Sequence, residues 1–340
     1  MNKVFICPSN IKSNSEISIT GSKSESNRLL IINALYSNIE LLNLSNSDDT
    51  KVLTKALSNL NGQIDIHHAG TAMRFLTAFL AQIEDREFVI TGSARMQERP
   101  IGILVDSLNE LGFEVRYLDK KGFPPLKIIG KKNIKSEIKL NSTVSSQYIS
   151  ALMLIAPSLD NGLKIILEGQ IISKPYINLT LNILKKIGVK CSFKKNIIKI
   201  KNHSKSKISQ YTVESDWSSA SYFYSIVSLL DNATIILSSF FDNSSQGDSK
   251  VSKIYESFGV NTTYKENTIR LTKMENYSKP DSLEFDLLEN PDLAQTISVT
   301  ALCMGIPLVL NGLQTLKIKE TDRIIALKNE LSKLGANVVY

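Results

Sequence analysis

Cysteine is scarce in this 340-residue sequence. Cys7, Cys191 and Cys303 are odd in number and widely spaced, which excludes a disulfide framework and a zinc-ligand spacing. Histidine is equally rare: His67 and His68 are adjacent and His203 lies in a lysine-rich stretch, without cysteine or carboxylate ligands at metal spacing, so no metal is expected. Long apolar runs are missing too. Ile149 to Leu159 and Ile297 to Leu310 fall short of the ~20 residues of a bilayer span and are interrupted by Ser, Thr or Pro. Met1 to Asn10 has no signal-like apolar segment, so a cytoplasmic chain without a membrane contact is expected. Neither a Walker A nor a G-x-G-x-x-G sequence occurs, and a nucleotide-binding fold is not indicated.

What is present is an ordinary globular composition, 42% hydrophobic and 21% charged, on a chain long enough for about two domains. Forty basic residues against 33 acidic ones give a net charge of +7 and point to anionic partners. Lysine does not localise them. The densest run, Lys185 to Lys207, holds nine lysines with Phe193 as its one aromatic residue, the pattern of a solvated face and not of a nucleic-acid patch. Arginine is more telling. There are eight, and Arg28, Arg74, Arg95, Arg99 and Arg323 fall inside the motifs described next.

A repeat organises the chain. An amphipathic helix ends at a glycine and leads into an alternating strand at Leu104 to Tyr117, Leu181 to Phe193, Val251 to Tyr264 and Ile325 to Tyr340. The glycines are Gly112, Gly188, Gly259 and Gly335, with a looser copy at Gly62. Each such helix follows another that begins in a small polar cluster: Ser22-Lys23-Ser24, Ala69-Gly70-Thr71, Ser145-Ser146-Gln147, Trp217-Ser218-Ser219 and Asn290-Pro291-Asp292. One such start is an ordinary cap; five in register suggest helix N-termini converging on a common anion. The expected fold is α/β, with two similar domains of repeated units. Residues 21–213 form a three-unit domain, and residues 1–20 plus 214–340 form a second with two units and the N-terminal strand.

Four constellations carry chemistry. Lys23 and Arg28 lie near one helix start beside the hydroxyls of Ser22 and Ser24. Gly70-Thr71-Ala72-Met73-Arg74 precedes Arg95-Met96-Gln97-Glu98-Arg99-Pro100, where Pro100 suits the first position of a helix and places Arg99 at a helix start. A guanidinium there needs a bound anion or a carboxylate partner. Ser145-Ser146-Gln147 and Ser173-Lys174-Pro175-Tyr176 are hydroxyl-rich helix starts able to hold a phosphate, with Gln147 and Tyr176 as flat surfaces for a ring. In Lys319-Glu320-Thr321-Asp322-Arg323 the two cations share a helical face at i and i+4. Asp292 and Glu320 add carboxylates for acid/base work on an anionic substrate.

Taken together and in order, these motifs resemble the 5-enolpyruvylshikimate-3-phosphate synthase family along nearly the whole chain. The resemblance implies an inside-out α/β barrel architecture, two domains of three βαβαββ units each, closing on substrate. It implies transfer of the enolpyruvyl group of phosphoenolpyruvate to the 5-hydroxyl of shikimate 3-phosphate, in aromatic amino acid biosynthesis, with release of phosphate. No cofactor is implied, and the family expectation is a monomer. Ser145, Ser146 and Ser173 would bind the shikimate phosphate; Lys23, Ser24, Arg28, Gln147, Tyr176, Asp292 and Lys319 would surround the rest of that substrate. Lys23, Gly70, Thr71, Arg99, Gln147 and Arg323 would hold phosphoenolpyruvate. Asp292 would be the base, Glu320 the acid, and Lys23 would stabilise departing phosphate. Gly70 implies sensitivity to glyphosate.

The chain departs from the family pattern at His68, Phe75 and Thr315, where Asn, Pro and Asn are usual. Nothing in it matches the family's Asp-His-Arg-Met-Ala motif and later lysine, so the expectation is a second domain short of one unit, exposed apolar surface there, and weak binding of phosphoenolpyruvate with poor turnover. The nearest rival is the UDP-N-acetylglucosamine enolpyruvyl transferase family, whose loop cysteine before Arg-Pro is absent from Arg95–Pro100. A fold that only binds anions is the other alternative.

Overall fold

The computed structural model describes residue 12 and residues 14–36, 38–141, 145–169, 171 and 174–340; Met1 to Asn10, with Cys7, and the site candidate Ser173 lie outside them. The repeat is a strand, a helix, a parallel strand, a second helix and a closing antiparallel hairpin. Strands Gln63–Asp65, Glu87–Thr91, Leu126–Ile129 and Glu114–Tyr117 lie in that spatial order, the first pair parallel and the others antiparallel. Strands Glu137–Asn141, Leu163–Glu168, Ile197–Ile200 and Cys191–Lys194 repeat the pattern. So do Asn14–Ser18, Thr234–Ser238, Thr268–Lys273 and Val260–Lys265, with the first strand supplied from the N-terminal side of the chain.

Local chemistry accounts for the unit. A parallel pair cannot be joined by a tight turn, so a helix makes the crossover. The second helix ends at a left-handed glycine, Gly112 at φ 103° or Gly188 at φ 102°, a conformation that a Cβ would strain. The hairpins turn on Lys195-Asn196 and Glu266-Asn267, all at positive φ, as the twist of a two-residue turn requires.

Two further parallel pairs, Glu40–Leu42 with Gln210–Thr212 and Leu283–Asp286 with Leu308–Asn311, stand without a closing hairpin among the described residues. The unit that opens at Ser22 is therefore two-stranded, where the resemblance implied a full set. The strand expected over 336–340 is likewise not formed: the segment has no ladder partner, and a strand owes its stability to cross-strand pairing. Around the last unit Val299, Val309, Ile325 and Leu334 are exposed. Among the described residues no helix is long and apolar enough to cross a membrane.

Apolar side chains gather into two clusters, one drawn from Leu29 to Val213 and the other from Trp217 to Leu316. Among the described residues the chain passes between them twice, side by side. Gly21 bridges Ser215, Ser22 N–H donates to the Glu214 carbonyl at 2.8 Å, and Asp216 N–H to that of Thr20 at 3.2 Å. Gly21 is required there, since a Cβ would overlap the Asn43 carbonyl oxygen.

Two buried carboxylates brace this crossing. Glu214 accepts from Trp217 Nε1 at 2.8 Å, Phe241 N–H at 3.0 Å, Ser244 Oγ at 2.6 Å and Gln246 Nε2 at 3.1 Å. Glu25 accepts from Tyr211 OH at 2.7 Å and from the Glu214 N–H at 3.1 Å. Burial, reinforced by Glu214 and opposed by the Tyr211 bond, raises Glu25 to about 7. A raised carboxyl binds its proton more tightly in the folded state, so its contribution to stability is full below about pH 4.5 and is lost as pH climbs to about 7. Glu25→Gln should therefore stabilise the protein at pH 8 relative to wild type, on the order of 2 kcal/mol, and bring no such gain near pH 4. Urea unfolding followed by the fluorescence of Trp217, the single tryptophan, measures this, and an equal effect at both pH values contradicts it.

Candidate active site

The five polar helix starts open onto one cavity of about 730 Å³, lined from both clusters by Lys23 and Ser24, Gly70 and Thr71, Ser145 to Gln147, Ser218 and Ser219, and Pro291 and Asp292. Free N–H groups at such ends favour negative charge. Two starts are tied together across the crossing: Asp216 caps its own helix through Ser219 N–H at 2.8 Å and also accepts from Lys23 N–H at 3.3 Å. Of the residues singled out in the sequence, Lys23, Ser24, Arg28, Gly70, Thr71, Arg99, Ser145, Ser146, Gln147, Tyr176, Asp292, Lys319, Glu320 and Arg323 all line this cavity. Ser173 lies outside the described residues. Six lining cations face five carboxylates, so side chains alone are near balance and the helix ends tip the cavity positive.

The cations sit in different settings. Arg28 is 2% exposed. It donates through Nε to Thr180 Oγ1 at 2.8 Å, through Nη1 to the Ser24 carbonyl at 2.7 Å and through Nη2 to Ser150 Oγ at 2.9 Å, which ties three helices together. Burial lowers it to about 10, well above neutrality. Arg99 is not at a helix start as the Arg-Pro pair predicted. The helix begins at Gly102 with Ile101 as cap, two residues beyond Pro100, and the Arg99 guanidinium instead packs on Gly70 so closely that a Cβ there would overlap it. Its Nη1 is buried without a hydrogen-bond partner and lies 3.9 Å from Glu320 Oε1.

Lys319 and Arg323 also meet by another route than the shared helical face. The helix starts at Arg323, capped by Asp322 at 3.0 Å to Ile324 N–H, and Lys319 lies in the preceding segment after the short helix Gln314–Ile318. They converge on Asp292 Oδ1, Lys319 Nζ at 3.3 Å and Arg323 Nη1 at 2.8 Å, while Tyr176 OH donates to Asp292 Oδ2 at 3.0 Å. Burial would raise Asp292, but Lys319, Arg323 and Lys23 pull it down to about 2. Glu320, half exposed, pairs with Arg323 Nη2 at 2.9 Å. Burial opposes and its own backbone N–H, Arg323 and Arg99 outweigh, holding it at about 2 as well. Both carboxylates are ionised.

Sequence reasoning missed Asp49, which lines the cavity and accepts from Thr71 N–H at 3.3 Å, and Asp248, buried behind Ser218, whose hydroxyl donates to it. Burial and then the charge of Asp292 raise Asp248 to about 7. Asp49 follows Ser47 as in any capped helix, so its role was hidden behind ordinary capping chemistry. The departures at His68, Phe75 and Thr315 separate cleanly. His68 is exposed and off the cavity; Phe75 is buried with its ring centroid 5.4 Å from the Arg28 guanidinium carbon, a cation–π contact. Thr315 lines the cavity with a buried hydroxyl that has no partner, as do Gln295 Nε2, Arg74 Nε and Arg99 Nη1. Buried polar atoms without a partner are costly, and four around one basic cavity mark a place for a ligand rich in acceptors.

The sequence profile of EPSP synthase (3-phosphoshikimate 1-carboxyvinyltransferase) matches residues 61–340. The chain belongs to the EPSP synthase family. A relative named 3-phosphoshikimate 1-carboxyvinyltransferase from Bacteroides fragilis is 48% identical over 336 residues, 98% of this chain and 81% of the relative. One of the same name from Colwellia psychrerythraea is 35% identical over 96% of this chain and 82% of its own length. The solved EPSP synthase of Acinetobacter baumannii superposes with a TM-score of 0.78 at 19% identity, over 96% of this chain and 79% of that one; the two share the fold. In this EPSP synthase family member the site is thus assembled from helix starts and loops of both clusters.

An oxyanion that engages Arg99, Arg323 and Lys319 competes with Asp292 and Glu320 for those cations, so it must raise both carboxylates. Titration with sulfate, which does not itself titrate in this range, should show net proton uptake at pH 4.5 by calorimetry in buffers of differing ionisation enthalpy. Asp292→Asn should reduce the uptake, and proton release would contradict the account.

Proposed function

We propose that this chain transfers the enolpyruvyl group of phosphoenolpyruvate to the 5-hydroxyl of shikimate 3-phosphate and releases phosphate. Membership of the EPSP synthase family supports the reaction. The observation that carries the reading into the site is the ring of buried, partnerless donors around a cavity that also holds two ionised carboxylates. Ser145 and Ser146, at a helix start, suit the phosphate of shikimate 3-phosphate, with Ser24, Arg28, Gln147, Tyr176, Asp292 and Lys319 about its ring and hydroxyls and Ser173 assigned with them from the sequence. Lys23, Gly70, Thr71, Gln147, Arg99 and Arg323 suit phosphoenolpyruvate, where planar guanidinium groups match carboxylate and phosphate. On this reading the protein works in the cytoplasm as a monomer, in residues 21–213 and 1–20 plus 214–340 as its two domains.

The chemistry follows from charge. Asp292, ionised, takes the proton of the attacking hydroxyl as the oxygen bonds to the enol carbon, and Glu320 gives a proton to the methylene carbon. Since Glu320 is a carboxylate in the free site, it must first gain that proton when substrate anions draw Arg99 and Arg323 away from it. Loss of phosphate, stabilised by Lys23, restores the double bond as the methyl carbon returns a proton. Fixed cations and helix ends need no reorganisation as charge shifts between the two substrates.

Phosphate should be released when both substrates are supplied and not with either alone, and shikimate 3-phosphate should bind alone in a 1:1 calorimetric titration; a chain that does neither overturns the reading. Lys23→Ala and Asp292→Asn should each lower kcat about a hundredfold or more. Gly70→Ala should push the Arg99 guanidinium aside, raising the KM for phosphoenolpyruvate and the inhibition constant of glyphosate by about tenfold or more, at little cost to shikimate 3-phosphate. Equal losses for both substrates would argue against that placement.

A further inference from the structure

Arg99 packs on Gly70 but no side-chain hydrogen bond holds it among the described residues. Its Nη1 has no hydrogen-bond partner and its nearest carboxylate oxygen, on Glu320, is 3.9 Å away. Something behind it must fix where it points. The next residue, Pro100, offers a carbonyl that accepts two short bonds from buried donors, Arg74 Nη2 at 2.6 Å and Tyr148 OH at 2.6 Å. Arg74 Nη1 also donates to the Gly70 carbonyl at 3.2 Å, and Gly70 is the residue on which the Arg99 guanidinium packs. One planar group thus holds both sides of the Arg99–Gly70 contact, and Tyr148 joins it from the helix that begins at Ser146.

The charge of Arg74 is out of proportion to a purely structural bond. It is 3% exposed, and burial above all, with Arg99 adding repulsion, lowers it to about 10. Two backbone carbonyls could be satisfied by neutral donors, whereas a buried guanidinium provides the rigid fork that reaches both at once and adds positive potential beside Arg99.

We propose that Arg74 and Tyr148 are positioning residues that aim Arg99 at the anion subsite through the Pro100 carbonyl. The identity of the anion as phosphoenolpyruvate rests on the function proposed above; the aiming does not.

Tyr148→Phe removes a single hydroxyl and leaves the carbonyl one donor. It should raise the KM for phosphoenolpyruvate about threefold to tenfold, the worth of one hydrogen bond, with the KM for shikimate 3-phosphate within about twofold. Arg74→Lys keeps the charge but loses the fork, and should raise the KM for phosphoenolpyruvate by more than tenfold. Equal rises in both KM values, or no change in either variant, overturn the proposal. A readout that needs no turnover separates it from the assignment of function: hydrogen exchange at the Arg99 Nε–H by nitrogen-15 NMR. Faster exchange in Tyr148→Phe than in wild type supports the proposal even in a chain that turns nothing over, and unchanged exchange in both variants overturns it.

Discussion

The structure depends on positive charge gathered where two apolar clusters face each other. No single cation creates it. Helix starts from both sides bring uncompensated N–H groups to one cavity, and lysine and arginine side chains join them there. Such an arrangement is self-repelling, so the surrounding protein must hold it together, and the buried clamps do so: Arg28 across three helices, Arg74 on two carbonyls, Asp216 on the starts of two helices. Each clamp spends hydrogen bonds on geometry, leaving other donors free for a ligand.

The carboxylates obey the same constraint. Asp292 and Glu320 remain ionised because cations surround them, whereas Asp248 and Glu25, equally acidic in water, are raised to about 7 where burial dominates. The difference lies in the neighbours and not in the residue type. It follows that any ligand competing for the cations alters the proton affinity of the carboxylates, which couples anion binding to proton transfer without any movement of the backbone.

How much of this was legible in the sequence depends on the range of the interaction. The repeat was readable because it is local: left-handed glycines such as Gly112 and Gly188 end the helices and apolar alternation marks the strands. The cavity residues were readable as motifs because short polar clusters at helix starts are local too. What failed was long-range or depended on exact helix boundaries. Arg99 was assigned to the helix after Pro100, yet its partner is Gly70, 29 residues earlier in the sequence. Lys319 and Arg323 were set on one helical face, yet a short helix and an aspartate cap separate them and Asp292 reunites them. The strand over 336–340 had the right alternation and no partner to pair with. Asp49 lies in the first turn of a helix capped by Ser47 and Asp216 caps its own helix, so both fit ordinary helix-start chemistry, yet their bonds to Thr71 and Lys23 reach residues that no local pattern connects.

A site of this kind is expensive for the fold. Partnerless buried donors at Arg74, Arg99, Gln295 and Thr315 each forgo about 1–3 kcal/mol, comparable in sum to the whole stability of an ordinary domain. The two apolar clusters must supply that margin, and placing the donors at the boundary between them confines the cost to one surface of each. Among the described residues the chain crosses the same boundary at Gly21 and at Ser215, braced by Glu25 and Glu214. Any relative displacement of the clusters there would change the distances from Tyr176 to Asp292 and from Arg99 to Glu320, two of the contacts that join the sides of the cavity. A ligand that bridges the partnerless donors on both sides would oppose such displacement, so binding and the geometry of the crossing are linked by the same electrostatic deficit.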